Sequence, residues 1–246
     1  VTARADHGAR QLIRRIARTN PKASIVATGC YATRAEGEVA RLPGVTTVVP
    51  NVRKLEFVEG LLPLLTAPAS QPTTAERFGG GEGACGDRIQ PGASGRNTYT
   101  LRVQTGCDEV CAYCIIPSTR GVGRSMPVDQ VLGEVDRIAG DGFKEASVTG
   151  VHIGSYGRDL ASPTTLLELL RALDGHPSQV VFRLSSLEPM DCPLEVVDLV
   201  AGSGRFAPHF HLPLQHASDV MLRRMRRPYT LELYRRVVDR IRDRLP

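Results

Sequence analysis

Three cysteines at C-x3-C-x2-C spacing constrain this chain more than any other feature of its sequence. Cys107, Cys111 and Cys114 fall within eight consecutive residues. Zinc sites usually draw four protein ligands from paired C-x2-C knuckles, whereas iron–sulfur clusters are held by cysteine thiolates in other spacings. Three thiolates on a four-iron cluster leave one iron able to bind a small molecule. The alternatives are a structural zinc knuckle and three unrelated buried thiols.

The composition and the ends of the chain limit the class of protein that is expected. The six cysteines among the 246 residues are bunched, which suits metal binding in a reducing compartment better than a disulfide framework. No apolar run approaches the length of a membrane span and no signal segment is recognisable, so a cytoplasmic protein without a membrane partner is expected. The net charge of +5 favours a polyanionic partner only weakly. Because the chain begins at Val1 and stops at Pro246 after a helical pattern, we expect it to be a fragment.

Residues 1–66 are predicted to form a small α/β unit. Apolar residues recur at helical spacing near the start of the chain, and short apolar runs over 23–28 and 45–49 are typical of covered strands. The first of these strands delivers Cys30 at its C-terminal end, where α/β proteins place their sites. A cysteine taken alone is more often an inert buried thiol than a ligand. A helix predicted over 51–65 completes the unit.

Residues 67–97 are rich in Pro, Ser, Thr and Gly. This composition is typical of a flexible linker between two folded parts. Cys85 lies inside the predicted linker, and we expect it to be a free thiol without a role.

Residues 98–246 carry a repeating pattern of strands and helices, which predicts a parallel sheet with right-handed crossovers. The loops that follow the strands then converge on one face, where the chemistry is expected. One of the predicted helices has Ser162 as its N-cap and Pro163 at its first position. The predicted strands are 99–103, 144–151, 180–186 and 209–214, and the predicted helices begin near Pro127 and cover 163–173, 193–201, 218–226 and 230–245.

The motifs at these strand ends resemble those of the radical S-adenosylmethionine (SAM) methylthiotransferases. They are the cysteine loop from Cys107 to Gly121, Thr149–Gly157, Arg183–Pro189 and His211–Gln215, in this order along the chain, together with Gly29-Cys30-Tyr31-Ala32 in the first unit. The sequence Thr-Gly-Val-His-Ile-Gly-Ser-Tyr-Gly is most similar to the branch that acts on threonylcarbamoyladenosine in tRNA. The isopentenyladenosine branch generally carries a Gln-Asn pair at Val151-His152.

The resemblance implies an α/β fold: a small N-terminal methylthiotransferase domain followed by a partial (βα) barrel of the radical SAM type. Four of the six barrel units would be present. It also implies a second [4Fe-4S] cluster, for which Cys30 is the single matching ligand of three. The start of the N-terminal domain and the C-terminal TRAM domain of the family are expected to be missing.

The activity that the resemblance implies is methylthiolation of carbon 2 of N6-threonylcarbamoyladenosine at position 37 of tRNA. Cys107, Cys111 and Cys114 would hold the [4Fe-4S] cluster at which SAM is cleaved to a 5′-deoxyadenosyl radical. The other positions that match SAM-binding motifs are Thr149 and Gly150 near the methionine amino group, Ser186 and Glu188 near the ribose hydroxyls, Gln215 beside adenine, and Tyr113 packed near the cofactor.

The expected partners are the anticodon region of tRNA, an electron donor such as flavodoxin or ferredoxin, and a sulfur donor. Two sister activities remain open, namely methylthiolation of isopentenyladenosine in tRNA and of an aspartate in a ribosomal protein. A zinc or iron–sulfur RNA-binding module without catalysis is the alternative from a different class. Substrate assays with tRNA and with ribosomes separate the enzymes, and anaerobic reconstitution that yields zinc alone would favour the binding module.

Overall fold

The computed structural model describes residues 2–54, 57, 90–92 and 97–245. The chain divides into two units: the first contains the chain up to residue 71 together with 114–121, and the second contains 72–113 and 122–246. Nearly all of the linker predicted over 67–97, including Cys85, lies outside the described residues, as does most of the helix predicted over 51–65.

The first unit is built around two parallel strands with helices between them. Its strands pair in parallel, with Ala27 opposite Val48 and Thr28 opposite Val49, as the two apolar runs predict. The side chains of Ala27, Tyr31 and Val39 form its small core. Its elements are α1 (Ala3–Thr19), β1 (Ile25–Thr28), α2 (Cys30–Arg34), α3 (Glu36–Ala40), β2 (Val45–Val49), a 3-10 turn (Asn51–Arg53) and α4 (Ile116–Arg120).

Gly29 sets the position of Cys30 in this unit. Its φ of 109° lies in a region that side chains rarely adopt, and it lets the chain turn from β1 directly into α2. Cys30 is consequently the first residue of α2, at the C-terminal end of a parallel strand. The strand end predicted for Cys30 is therefore confirmed.

The second unit contains a three-stranded parallel sheet and a two-stranded antiparallel ribbon. None of the helices in the described ranges is both long and apolar enough to cross a membrane. The strands are β3 (Thr98–Arg102), β4 (Gln104–Thr105), β5 (Arg124–Ser125), β6 (Glu145–Thr149) and β7 (Val181–Leu184), and the helices are α5 (Val128–Gly140), α6 (Leu166–Asp174), α7 (Leu194–Gly202), α8 (Asp219–Arg224) and α9 (Leu231–Arg244), with 3-10 turns at Ile153–Ser155 and Pro189–Asp191.

The parallel sheet has the order β3-β6-β7, so its three C-terminal ends lie along one edge. Leu101, Val148 and Leu184 lie opposite one another across the three strands and are each 2% exposed or less. The apolar stripe of α5, with Val131, Val135 and Ile138 fully buried, and that of α6, with Leu169, Leu170 and Leu173, join the same core. The alternating strands and helices of the second unit thus bury one continuous core.

The fourth predicted strand, over 209–214, is wrong. Only isolated parallel bridges join this part of the chain to the sheet, from Phe182 to Phe206 and from Ser186 to His211. Pro208 and Pro213 interrupt the segment, and proline has no N–H to donate to a ladder of hydrogen bonds. The segment still follows β7, but without a regular strand.

The helix predicted to start at Ser162 begins later. Thr165 is the N-cap of α6: its hydroxyl accepts a hydrogen bond from the Glu168 N–H, and the Glu168 carboxylate accepts one from the Thr165 N–H. This reciprocal capping box satisfies two free donors at once. It therefore defines the helix start more strongly than the Ser-Pro pair three residues earlier.

A buried ionic network ties α5 to β3. The Glu134 carboxylate is 6% exposed and accepts two hydrogen bonds from Arg137, at 2.9 Å from Nε and 2.6 Å from Nη2. The Tyr99 hydroxyl donates to the same carboxylate, and the Arg137 guanidinium lies over the Tyr99 ring. Removing one partner of such a pair leaves an uncompensated charge in the interior.

Arg137→Met is therefore expected to lower the free energy of unfolding by about 3 kcal/mol, because Glu134 keeps its buried charge without a cation. Urea denaturation followed by circular dichroism measures the change. Arg171→Met is the control, since Arg171 is an exposed arginine on α6 and its removal should change stability by no more than about 0.5 kcal/mol. Equal costs for the two variants would contradict a structural role for the network.

Candidate functional site

The cysteine loop leaves the sheet at a fixed point next to the end of β6. The Val103 N–H donates to the Thr149 carbonyl at 2.9 Å, which holds the exit of β3 beside the exit of β6. The Gln104 side chain, fully buried, donates from Nε2 to the carbonyls of Thr105 and Gly106 at 3.1 and 3.0 Å. These bonds set the path of the chain into Cys107.

The three cysteines of the loop differ in exposure. Cys107 is buried, Cys111 is partly buried and Cys114 is exposed. Cys107 and Cys111 belong to the second unit, whereas Cys114 belongs to the first. Within the described ranges, no three His, Cys, Asp or Glu side chains are grouped closely enough to hold one metal ion. A cluster differs in this respect, because each thiolate binds a different iron.

The sulfur of Cys107 lies among hydrogen-bond donors, which is a suitable environment for a thiolate ligand. The Glu109 N–H donates to it at 3.4 Å, and Nδ1 of His152 lies 3.7 Å away. Nε2 of His152 is in turn 2.6 Å from the Asp191 carboxylate. The surroundings of Cys107 therefore suit a thiolate that binds a metal.

The charges around His152 favour its protonated form. Burial alone would lower the pKa of His152, but Asp191 and Cys107 outweigh burial and raise it to about 10. Burial likewise opposes ionisation of Asp191, yet His152 and Arg158 hold the pKa of this carboxyl below its ordinary value. The two side chains form a buried ion pair next to Cys107.

Two glycines make room for the residues that hold His152. A Cβ on Gly150 would lie 2.9 Å from Cβ and 3.0 Å from Oε1 of Gln104, the oxygen that accepts the His152 N–H at 2.9 Å. A Cβ on Gly154 would lie 2.1 Å from Cβ of Asp191, closer than any real contact. Gly150, predicted to lie near a cofactor, is thus also required for packing inside the protein.

Two predicted cofactor residues, Tyr113 and Glu188, contact one arginine that the sequence did not single out, and a third, Gln215, contacts Tyr113. Arg227 donates to the Tyr113 hydroxyl at 3.0 Å from Nε and 2.6 Å from Nη2, and its guanidinium lies over the Tyr113 ring. Its Nη1 is 2.9 Å from the Glu188 carboxylate, and Tyr113 donates to Gln215 at 3.0 Å. The Arg227 side chain is only 8% exposed. No sequence signal separates it from Arg223, Arg224 and Arg226 in the same run.

Two features of the polar network around Arg227 are energetically costly, one at Glu188 and one at Gln215. Oε2 of Glu188 is buried and, within the described part of the chain, has no aligned hydrogen bond, so the nearby Arg227 cation balances it as a charge. Gln215 has a φ of 63°, a left-handed conformation that costs a side chain of order 1 kcal/mol. Strain of this kind is typical of residues held in place for a ligand.

The other predicted SAM residues lie at neighbouring strand ends. Thr149 is the last residue of β6 and lies opposite Arg102 of β3, with Gly150 following. Ser186 follows β7, and its hydroxyl is 2.8 Å from Nδ1 of His211. Because β3, β6 and β7 are parallel neighbours, these residues share the edge of the sheet from which the cysteine loop departs.

Cys30 has donors of its own within the first unit. Nδ2 of Asn51 is 3.6 Å from the Cys30 sulfur and also donates to the Thr119 carbonyl at 2.7 Å. Burial alone would raise the pKa of Cys30, but hydrogen bonds from Arg120 and Asn51 outweigh it and lower the pKa. The thiolate, which is the form that binds metals, is thereby favoured.

Comparisons with known proteins agree with the chemistry of the loop. A family model described as the radical SAM superfamily matches residues 101–246. The threonylcarbamoyladenosine tRNA methylthiotransferase MtaB of Bacillus subtilis is 32% identical over 100% of this chain and 54% of its own length. The MtaB of Aquifex aeolicus is 36% identical over 100% of this chain and 59% of its own length. The chain thus spans little more than half the length of these relatives.

Solved structures support the same fold. The radical S-adenosylmethionine methyltransferase TsrM of Kitasatospora setae, determined with tryptophan and a SAM analogue, superimposes with a TM-score of 0.66. It covers 97% of this chain and shares 17% sequence identity, while this chain covers 51% of TsrM. At this identity the likeness concerns the fold alone.

The close approach of Gly154 to Asp191 generates a stability prediction. Gly154→Ala should lower the free energy of unfolding by about 1–3 kcal/mol, because the new methyl group must displace Asp191. Gly133→Ala is the control: nothing lies within 4 Å of the added Cβ on α5, and alanine in a helix should stabilise the protein by about 0.5–1 kcal/mol. Urea unfolding of both variants should give changes of opposite sign. Changes of the same sign would count against the packing described for Gly154.

Proposed function

Because the chain belongs to the radical SAM superfamily, we propose that it is part of a tRNA methylthiotransferase that acts on carbon 2 of N6-threonylcarbamoyladenosine at position 37. The observation that carries this proposal is the similarity of the whole chain to two MtaB enzymes. The pair Val151-His152, where the isopentenyladenosine branch generally has Gln-Asn, favours the same substrate. Sister methylthiotransferases of isopentenyladenosine or of a ribosomal protein are the closest alternatives.

The proposed architecture has three parts. Residues 1–66 form an incomplete methylthiotransferase domain, 67–97 a linker, and 98–246 four units of a six-unit partial (βα) barrel. The parallel order β3-β6-β7 supports three of the barrel units, and the segment bridged to the sheet at Phe206 and His211 lies where the fourth strand would be. The separate two-stranded sheet of the first unit supports the division into domains.

Cys107, Cys111 and Cys114 are proposed to hold the [4Fe-4S] cluster. When bound, this group supplies the electron that cleaves SAM. The buried position of Cys107 shields its sulfur from water. Cys30 is proposed as one ligand of a second cluster, and its lowered pKa supports a metal-binding thiolate.

The residues that bind SAM are proposed to lie along the edge of the sheet. Thr149 and Gly150 would contact the methionine amino group, Ser186 and Glu188 the ribose hydroxyls, Gln215 the adenine, and Tyr113 would pack against the cofactor. Arg227 orients Tyr113 and Glu188, since it contacts both. A rigid set of polar groups lowers the entropy that is lost when a ligand is ordered.

A radical mechanism suits the proposed substrate. The hydrogen on carbon 2 of adenine is held by an unactivated aromatic C–H bond, which neither a general base nor a nucleophile opens easily. In the proposed reaction one SAM provides the methyl group of the methylthio product, and a second provides the radical. The tRNA anticodon region, an electron donor such as flavodoxin or ferredoxin, and a sulfur donor are the proposed partners.

The first test concerns the cysteine loop. Cys107→Ala, Cys111→Ala and Cys114→Ala should each abolish cluster binding and the formation of 5′-deoxyadenosine after anaerobic reconstitution, because two thiolates cannot replace three. Cys192→Ala is the control, because Cys192 is buried and burial raises its pKa to about 12, which leaves it an inert thiol.

Wild-type enzyme should convert tRNA that carries threonylcarbamoyladenosine. Conversion of isopentenyladenosine or of ribosomes instead would assign the enzyme to a sister activity, and 5′-deoxyadenosine from a loop variant would refute the cysteine assignment.

The second test separates the two proposed clusters. Cys30→Ala should retain SAM cleavage to 5′-deoxyadenosine but lose the methylthiolated nucleoside, since the cluster that handles sulfur is deprived of a ligand. Iron analysis and mass spectrometry of tRNA nucleosides measure both outcomes. If the iron content and the methylthiolated product were unchanged, Cys30 would be a structural thiol whose removal costs on the order of 1 kcal/mol of stability.

A further inference from the structure

We propose that His152 is a positioning residue for Cys107: its imidazole hydrogen-bonds the sulfur and raises the reduction potential of the cluster held there. This inference rests on the proposed function, because it requires Cys107 to be a cluster ligand. In the sequence, His152 serves only as a mark of the substrate branch. The structure points to a second role, toward the metal.

The imidazole of His152 has a single orientation open to it. Its Nε2 is 2.6 Å from Oδ2 of Asp191, and Oδ1 of the same carboxylate accepts a hydrogen bond from Arg158 at 2.8 Å. The ring cannot swing into solvent, since the side chain is only 4% exposed. Nδ1 is therefore fixed on the side of the ring that faces the Cys107 sulfur, 3.7 Å away.

The backbone of His152 is held as firmly as its ring. Its N–H donates to Oε1 of Gln104, whose Nε2 binds the two carbonyls just before Cys107. The glycines at 150 and 154 remove the two Cβ atoms that would collide with Gln104 and Asp191. The segment from Gly150 to Gly154 thus provides both the histidine and the space for Gln104 and Asp191, the two residues that hold it. This arrangement favours a precise placement of the imidazole against the cysteine loop.

A donor next to a ligand sulfur affects the redox chemistry of a cluster. Reduction by one electron makes the cluster and its thiolates more negative, and a hydrogen bond to the sulfur stabilises that reduced state. The Glu109 N–H, at 3.4 Å, is one such donor to Cys107, and Nδ1 of His152, 3.7 Å from the sulfur, is placed to be another when both ring nitrogens carry a proton. Loss of the side-chain donor should therefore make the cluster harder to reduce.

Two substitutions separate the bond to sulfur from the bond to Asp191. The amide nitrogen of asparagine can occupy the place of Nδ1, so His152→Asn should keep a donor toward Cys107. The longer glutamine can place its amide nitrogen at Nε2, so His152→Gln should keep the contact with Asp191 and lose the donor to sulfur. His152→Leu has neither.

The experiment measures the midpoint potential of the reconstituted cluster by redox titration followed by electron paramagnetic resonance, with Cys30→Ala in every protein so that one cluster contributes. All three variants lose the charge of the protonated imidazole, so His152→Asn is the reference. Relative to His152→Asn, the variants His152→Gln and His152→Leu should lower the ratio of reduced to oxidised cluster about tenfold at a fixed potential, a shift of about 59 mV to more negative values. Equal potentials for Asn and Gln would overturn the proposal.

A measurement without any change at His152 covers the case in which the variants do not fold. Pulsed electron paramagnetic resonance of the reduced cluster, in protein labelled with 15N-histidine and without SAM, should detect a weak 15N coupling through the sulfur. Absence of that coupling in a protein that does hold the cluster would refute the hydrogen bond. If the unsubstituted protein held no cluster at all, the proposed function itself would fail, which is a different result.

Discussion

The site depends on one buried amide, the side chain of Gln104. Through Oε1 it holds the backbone of His152 after β6, and through Nε2 it holds the two residues that lead into Cys107 after β4. A buried amide without partners would cost the protein several kcal/mol, so these bonds are satisfied together or lost together. The histidine motif and the cysteine loop consequently cannot move independently.

The parallel sheet explains why the single amide of Gln104 is sufficient to hold the His152 backbone and the start of the cysteine loop together. Strands β3 and β6 are neighbours in register, so their C-terminal ends are already one strand spacing apart before any side chain contributes. The buried core of apolar residues across β3, β6 and β7 fixes that register, because a slip by one residue would turn every side chain to the opposite face. The side chains at the edge need only complete an arrangement that the core has defined.

Local pattern predicted most of the fold and the identity of the loop, but not the contacts that organise the site. Periodicity located β3, β6, β7 and the helices after them, and it failed at 209–214, where Pro213 interrupts the alternating pattern. Spacing predicts that Cys107 and its neighbours form a ligand set, and this stays a prediction. Gln104, Asp191 and Arg227 were missed because their roles arise from contacts far apart in the chain, and Tyr113 and Arg227 are 114 residues apart. No local pattern encodes such a pairing.

The network around Arg227 has a consequence for how a ligand binds. In the structure Tyr113, Glu188 and Gln215 all take part in contacts with one another or with Arg227, and Ser186 is paired with His211. A ligand that contacts these groups must therefore exchange internal hydrogen bonds for new ones, which contributes little net free energy for each bond. Selectivity would then come from shape and from the strained backbone at Gln215, whose cost is already included in the folded state. The polar edge of the sheet is thus better suited to orienting a ligand than to binding it tightly.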